Sequence, residues 1–158
     1  MTHVLFVCLG NICRSPLAEA LFDQLLKERG LQDRIQCDSA GTGDWHVGEP
    51  PDPRTLAVAR QYKVPIEHRG RQFVPADFMA YDYIIAMDAS NRQRVLAQLP
   101  PETKSDHVFL MRQFDDEPSE QDVPDPYWSE ERGFDDMYHL LRRCCINLLA
   151  YIEERLPR

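Results

Sequence analysis

The chain has 158 residues, of which 43% are hydrophobic and 28% charged, a composition typical of one globular domain and not of a disordered or fibrous chain. We therefore expect a single domain that spans residues 1–158. The net charge of −8 is carried by residues 111–136, which hold ten acidic and two basic residues, and no basic stripe elsewhere predicts binding to nucleic acid or to an anionic membrane.

The apolar runs and the thiols indicate the compartment in which the protein works. The longest apolar run, Val4–Leu9, is far shorter than the ~20 residues of a membrane-spanning helix and too short for the core of a signal peptide. The five cysteines form no C-x-x-C pair and the five histidines are scattered, so neither a disulfide framework nor a structural zinc site is predicted. We expect a cytoplasmic protein that begins at Met1 and keeps its thiols reduced.

Strand-like and helix-like patterns alternate along the chain. Strands are predicted at 4–8, 35–40, 83–87 and 107–110, and helices at 15–30, from 52 onward, near 75–79, at 90–99 and at 134–155. This order predicts an α/β fold of three layers, in which a four-stranded parallel sheet has helices on both faces. Because ligands of such sheets bind beyond the carboxyl ends of the strands, we expect the ends at Cys8, Asp88 and Leu110 to converge on one crevice.

The segment between the first strand and the first helix is predicted to bind phosphate, because the N–H groups of a helix N-terminus attract anions. Gly10 and Asn11 allow the left-handed backbone angles of an anion-binding loop, and Arg14 provides a planar fork for two phosphate oxygens. Cys8 lies at the bottom as the nucleophile, in surroundings that favour the thiolate, and Ser15 is expected to cap the helix and to donate its hydroxyl to the sulfur. The predicted phosphate-binding residues are Leu9, Gly10, Asn11, Ile12, Cys13, Arg14 and Ser15.

Asp125 is the candidate proton donor to the leaving group. It lies between Pro124 and Pro126, which stiffen the loop, and is followed by Tyr127 and Trp128. The two rings are expected to desolvate the carboxyl and to offer flat walls to an aromatic substrate. Asp125 is therefore predicted to act first as a general acid and then as a general base.

These motifs resemble the low-molecular-weight protein tyrosine phosphatases, and the resemblance covers essentially the whole chain. It rests on Cys8–Ser15 with Pro16–Glu19 after it, on Asp125–Tyr127, and on matches at 38–41, 44–45, 51–54, 82–84, 87–91 and 144–145. The resemblance implies a two-step hydrolysis of a phosphotyrosine-containing protein without metal or other cofactor. Cys8 would attack phosphorus and form a phosphocysteine while Asp125 protonates the tyrosine oxygen, and Asp125 would then activate water.

The resemblance also implies roles for residues around the loop. Asn11 would brace the loop by bonding to Ser39 and His68, and Asp88, placed near His68, would have an electrostatic role. The entrance would be lined by Trp45, Tyr127 and Trp128, although His46 stands where family members often carry Asn. Cys13 is either a small core residue or a reversible disulfide partner of Cys8, as the resemblance implies.

Three other functions share the fold or the loop. A thioredoxin-linked arsenate reductase needs two further cysteines near the third strand and the helix after it, and residues 83–91 contain none. Enzymes that resemble the protein-arginine phosphatases have Thr in place of Ile12, and an aliphatic side chain favours an aryl ring over a guanidinium. A non-catalytic phosphate-binding module is expected to lack Cys8 or Asp125, and both are present. The sequence thus favours a tyrosine phosphatase, with the two enzymes as alternatives.

Overall fold

Strands and helices alternate along the chain, as the hydrophobic patterns predict. The computed structural model of the protein describes residues 1–157, without the side chain of Glu131. The strands are β1 (Thr2–Cys8), β2 (Ile35–Gly41), β3 (Tyr83–Ala86) and β4 (Val108–Leu110). The helices are α1 (Arg14–Glu28), α2 (Pro53–Gln61), α3 (Asp77–Ala80), α4 (Ala89–Leu96) and α5 (Glu131–Glu153), and a 3₁₀ turn (Met111–Phe114) follows β4.

The four strands form one parallel sheet in the order β2-β1-β3-β4, which confirms the predicted sheet. Side chains alternate between the faces of β1, so that Val4 and Phe6 pack with residues of α1 and α5, whereas Leu5 and Val7 pack with residues of α3 and α4. Both faces of β1 are therefore buried, as its continuous apolar run indicates. Helices cover both faces of the sheet, and the three-layer α/β arrangement is confirmed.

The loop after β2 is tied to the loop after β1 at the carboxyl edge of the sheet. Gly41 is the register partner of Cys8, and Gly43 N–H donates to Leu9 O at 2.9 Å. A Cβ at Gly41 would lie 2.8 Å from Leu9 O, so the close approach of the two chains requires glycine there. This contact brings the segment after β2, rather than the end of β4, to the crevice. Leu110 itself is buried and does not line the crevice, but the segment that follows β4 does so through Asp125.

The length and hydropathy of the helices show whether any of them could cross a membrane. Among residues 1–157, none of the helices combines the length and the apolar composition that crossing a bilayer requires.

Candidate active site

The segment from Cys8 to Ser15 forms a loop whose amides are free to bind an anion. Within residues 1–157, the N–H groups of residues 9–13 donate to no other protein group. Asn11 has a left-handed backbone angle, φ 55°, as expected, whereas Gly10 does not. Glycine at position 10 instead provides room, because a Cβ there would lie 3.2 Å from Cδ2 of His46. The loop therefore offers unpaired donors at a helix N-terminus, the arrangement that binds phosphate in many proteins.

The thiol of Cys8 lies at the base of this loop with a hydroxyl beside it. Its Sγ is 2.9 Å from Oγ of Ser15, and that Oγ accepts a hydrogen bond of 2.8 Å from Nδ2 of Asn11. Because Ser15 Oγ accepts from Asn11, its own proton is free to be donated to the Cys8 sulfur. The expected capping role of Ser15 is wrong: Cys13 is the N-cap of α1 and makes no side-chain cap bond.

Arg14 connects the loop to two other parts of the crevice. Its Nη1 donates to Oδ2 of Asp88 at 2.7 Å and to Val123 O at 2.9 Å, while Nη2 lies 3.7 Å from Oδ2 of Asp125. Burial acts to lower the pKa of Arg14, but the charges of Cys8 and Asp88 outweigh it and raise the pKa above its usual value. The guanidinium is thus charged, and its direction is fixed by Asp88 after β3 and by Val123 in the loop before Asp125.

A second polar network braces Asn11 from the other side. Its Nδ2 donates to Oγ of Ser39 at 3.0 Å, and its Oδ1 lies 2.7 Å from Nε2 of His68, as expected. Since Oδ1 accepts, His68 Nε2 donates, and Nδ1 of the same ring faces Oε1 of Glu19 at 3.2 Å. Asp88 does not belong to this network, so the expected proximity to His68 is wrong and its electrostatic contact is with Arg14.

The part of the chain that the structure describes has one group of side chains in this network with the spacing to hold a metal ion. Glu19, Asp38 and His68 each bring a ligand atom within 4.8 Å of the others. However, Ser39 Oγ already donates to Glu19 at 2.6 Å, and Nε of Arg71 donates to Asp38 at 3.1 Å. We interpret the group as an ion-pair network that supports the phosphate loop. Sequence reasoning missed Glu19 and Arg71 as members, although Glu19 lies in the stretch that follows the loop.

The crevice above the loop has a volume of about 290 Å³ and is bounded by aromatic side chains. Trp45, Tyr127 and Trp128 line it, as expected. Trp128 is 91% exposed and contacts Tyr127 edge to face, with the ring centroids 4.8 Å apart. His46 and Ile12 complete the walls, and Nδ1 of His46 is held by Oε2 of Glu49 at 2.6 Å. Flat apolar walls above an anion loop suit an aryl phosphate.

Asp125 faces the crevice but is more solvated than expected. Its side chain is 41% exposed, and Oδ1 accepts a hydrogen bond of 3.1 Å from the N–H of Tyr127. The expected desolvation by Tyr127 and Trp128 is wrong, because the two rings pack on each other and Trp128 extends into solvent. A carboxyl at the mouth of the crevice, with Arg14 below it, can reach both the leaving oxygen of a substrate and bulk water.

The other four thiols differ from Cys8 in their surroundings. Burial raises the pKa of Cys13 to about 12, with Thr55 beside its sulfur, and burial also raises the pKa of Cys144 to about 12. It raises the pKa values of Cys37 and Cys145 as well. Among these five thiols, Cys8 is the one that both lines the crevice and has a hydroxyl 2.9 Å from its sulfur, so it is the candidate nucleophile.

Comparison with known proteins agrees with this geometry. Residues 3–158 match the family model described as low molecular weight phosphotyrosine protein phosphatase. The chain belongs to this family. A low molecular weight protein-tyrosine-phosphatase of Streptomyces coelicolor is 39% identical over 158 residues, with 98% of this chain and 96% of the relative covered.

Solved structures of family members superpose over nearly the whole chain. A crystal structure of the protein tyrosine phosphatase from Entamoeba histolytica matches with a TM-score of 0.92 and 37% identity, covering 98% of this chain and 99% of that one. A structure described as a Drosophila arginine phosphatase matches with a TM-score of 0.87 and 34% identity, covering 97% and 98%. The family fold is thus shared by proteins named for two different phosphorylated residues.

Proposed function

We propose that the protein hydrolyses phosphotyrosine in proteins, and small aryl phosphates, through a phosphocysteine intermediate. The observation that carries this proposal is the placement of the Cys8 thiol beneath free N–H groups, with Ser15 at 2.9 Å and Arg14 reaching Asp125 at 3.7 Å. Nucleophile, anion cradle and proton donor are thereby within reach of one bound phosphate.

In the first step the Cys8 thiolate attacks phosphorus, forming the S–P bond as the P–O bond to tyrosine breaks. Asp125 donates its proton to the departing oxygen, so tyrosine leaves as the neutral phenol. The N–H groups of residues 9–13 and the Arg14 guanidinium bind the equatorial oxygens, where negative charge is held during the transfer. The products of this step are the dephosphorylated tyrosine side chain of the substrate and a phosphocysteine.

In the second step Asp125, now a carboxylate, takes a proton from a water molecule. The water oxygen attacks phosphorus, the S–P bond breaks, and its electron pair returns to the Cys8 sulfur as thiolate. Phosphate leaves and the proton remains on Asp125, ready for the next cycle. The exposure of Asp125 at the crevice mouth leaves room for this water.

The crevice favours an aryl group over the substrates of the two alternative enzymes. Ile12 is part of the crevice wall, and its aliphatic side chain offers no polar partner to a guanidinium. The relay of an arsenate reductase needs accessible cysteines beside the nucleophile, but Cys144 and Cys145 are fully buried in the core with α5, and Cys37 lies in β2. We therefore place phosphotyrosine ahead of phosphoarginine and arsenate.

The experiment that tests the proposed function compares phosphotyrosine, phosphoserine and phosphoarginine peptides side by side with EDTA present. We expect hydrolysis of phosphotyrosine to dominate and to be unchanged by EDTA, because amides and Arg14 bind the phosphate. Vanadate should inhibit competitively. Preference for phosphoarginine would overturn the substrate class, and activity lost on chelation and restored by zinc or magnesium would overturn the mechanism.

We also propose that Cys13 is the redox partner of Cys8. Peroxide is expected to inactivate the enzyme by forming a sulfenic acid on Cys8, which Cys13 then converts to a disulfide as water leaves. Dithiothreitol should restore activity, phosphate should protect, and Cys13→Ser should lose much of the recovery. Because the pKa of Cys13 is raised to about 12, its thiolate fraction grows about tenfold per pH unit below that value, so the recoverable fraction should increase with pH. Peptide mapping that finds Cys8 bonded to Cys37, Cys144 or Cys145 would contradict this pairing.

The remaining proposals concern the protein as a whole. All five cysteines are free, which is consistent with a reducing compartment, and we propose the cytoplasm as the location. We propose that residues 1–158 act as one domain, with a phosphotyrosine-containing protein as the partner.

A further inference from the structure

The loop that carries Asp125 contacts the body of the protein on both sides of that residue. On the side before Asp125, Val123 N–H donates to Met87 O at 2.8 Å, and Val123 O accepts from Arg14. On the side after Asp125 the attachment is made by Arg54, at the start of α2.

Arg54 packs against the faces of two aromatic rings that follow Asp125 in the sequence. Its Cζ lies 5.4 Å from the ring centroid of Tyr127 and 4.6 Å from that of Phe134, at the beginning of α5. Its Nη1 also lies 3.5 Å from Ser129 O, which is at the edge of a hydrogen bond. The planar guanidinium thus holds the segment between Asp125 and α5 through cation–π contacts.

Arg54 is in turn oriented by Asp52, which is 8% exposed. Oδ1 of Asp52 accepts from the N–H of Arg54 at 2.8 Å and from Nε at 3.1 Å, and Oδ2 accepts from Nη2 at 3.0 Å. Burial acts to raise the pKa of Asp52, but the hydrogen bonds and charge of Arg54 lower it below its usual value. A two-pronged ion pair of this kind fixes the plane of the guanidinium.

Asp52 also touches the phosphate loop directly. Its N–H donates to Ile12 O at 2.9 Å, and its carboxylate is close enough to Cys13 to contribute to the raised pKa of that thiol. A continuous chain of contacts therefore runs from Ile12 through Asp52 and Arg54 to Tyr127. It joins the loop that binds phosphate to the loop that carries the proton donor.

We propose that Arg54 is a positioning residue that holds Asp125 at the correct distance from the bound phosphate. The inference rests on the proposed function, since it assigns a purpose to a contact within that site. Arg54 does not line the crevice and reaches the reaction only through Tyr127 and the loop. Lysine in its place would keep a positive charge near Asp52 but would lose both the fork and the flat face.

The kinetic test uses Arg54→Ala and Arg54→Lys with two esters, phenyl phosphate and p-nitrophenyl phosphate. A misplaced proton donor should lower kcat/KM for phenyl phosphate by about 10–100-fold, because its leaving group needs the proton. The loss for p-nitrophenyl phosphate, whose leaving group departs without help, should be much smaller. The matched control is Arg60→Ala on the same helix, where the side chain is exposed, and it should behave as the wild type. Equal losses on the two esters in both Arg54 variants would overturn the proposal.

A double variant separates positioning from a general loss of structure. In the Asp125→Ala background the proton donor is absent, so Arg54→Ala should cause no further selective loss on phenyl phosphate. If the two substitutions instead multiply on this ester, Arg54 acts independently of Asp125 and the proposal is wrong.

Hydrogen–deuterium exchange gives a readout that does not require turnover. Exchange of residues 124–130 should become faster in Arg54→Ala and Arg54→Lys than in the wild type and Arg60→Ala, while α1 and β1 stay protected. Unchanged exchange in that segment would contradict the inference whether or not the enzyme is active. A wild type that hydrolyses no aryl phosphate would overturn the proposed function instead.

Discussion

Replacing Cys8 with serine is expected to reduce turnover of phosphotyrosine by more than about 10⁴-fold, because a serine hydroxyl in this position has no base to activate it. The substitution removes the nucleophile and leaves the N–H groups of residues 9–13 and the Arg14 guanidinium in place. Binding of phosphate or tungstate, measured by calorimetry, should therefore stay near the wild-type value. Loss of chemistry with retention of anion binding is the signature of a nucleophile within an intact cradle.

The matched control for this variant is Cys37→Ser. Cys37 lies in β2 with its Sγ 3.5 Å from Glu19 O, outside the crevice lining, so the same chemical change there should leave turnover close to that of the wild type. Turnover near the wild-type rate in Cys8→Ser would assign the chemistry to another residue.

Replacing Asp125 with alanine is expected to lower kcat/KM by about 10²–10⁴-fold for esters with poor leaving groups. The reason is that the phenolate of tyrosine must receive a proton as it departs, and Asp125 is the carboxyl that faces both Arg14 and the crevice. Activated esters should lose much less. Rates plotted against leaving-group pKa should therefore become steeper in the variant.

Two further variants serve as controls, one for the shape of the Asp125 side chain and one for the loss of a nearby acidic charge. Asp125→Asn keeps the shape of the side chain but removes the acidic proton, and it should resemble Asp125→Ala on poor leaving groups. Asp136→Ala removes a charge from the same acidic segment at an exposed position and should have little effect. An equal loss across all leaving groups in Asp125→Ala would show that Asp125 is only structural.

Features that depend on local sequence patterns could be predicted. Apolar runs located the four strands to within about two residues. A parallel strand that is buried on both faces is a continuous apolar run, without alternating polar residues. The eight residues from Cys8 to Ser15 also predicted a loop between a strand and a helix N-terminus, and the structure has Asn11 in the left-handed region there.

Contacts between residues far apart in the sequence could not be predicted from local patterns. Asp88 is 74 residues from Arg14 and Val123 is 109 residues away, so no local pattern predicts that both bind one guanidinium. The assignment of Asp88 to His68 failed for this reason. The solvation of Asp125 was likewise misjudged, because it depends on where the Trp128 ring points, and that direction is set by packing rather than by sequence order.

The pair Asp52 and Arg54 illustrates a signal that was present but unused. Asp-Pro-Arg at the start of a helix reads as a cap followed by a proline, and the structure confirms that Asp52 caps α2. Its second function, orienting Arg54 against Tyr127, became visible only once α5 was placed beside α2.

Rapid acid quenching followed by mass spectrometry of the peptides tests most directly whether the phosphoryl group passes through the sulfur of Cys8. With a phosphotyrosine peptide as substrate, we expect one phosphoryl group on the peptide that contains Cys8. It should accumulate further in Asp125→Ala when an activated ester is used, because the base that activates water is missing. A phosphoryl group on any other residue, or turnover without a phosphorylated enzyme at any quench time, would contradict the account.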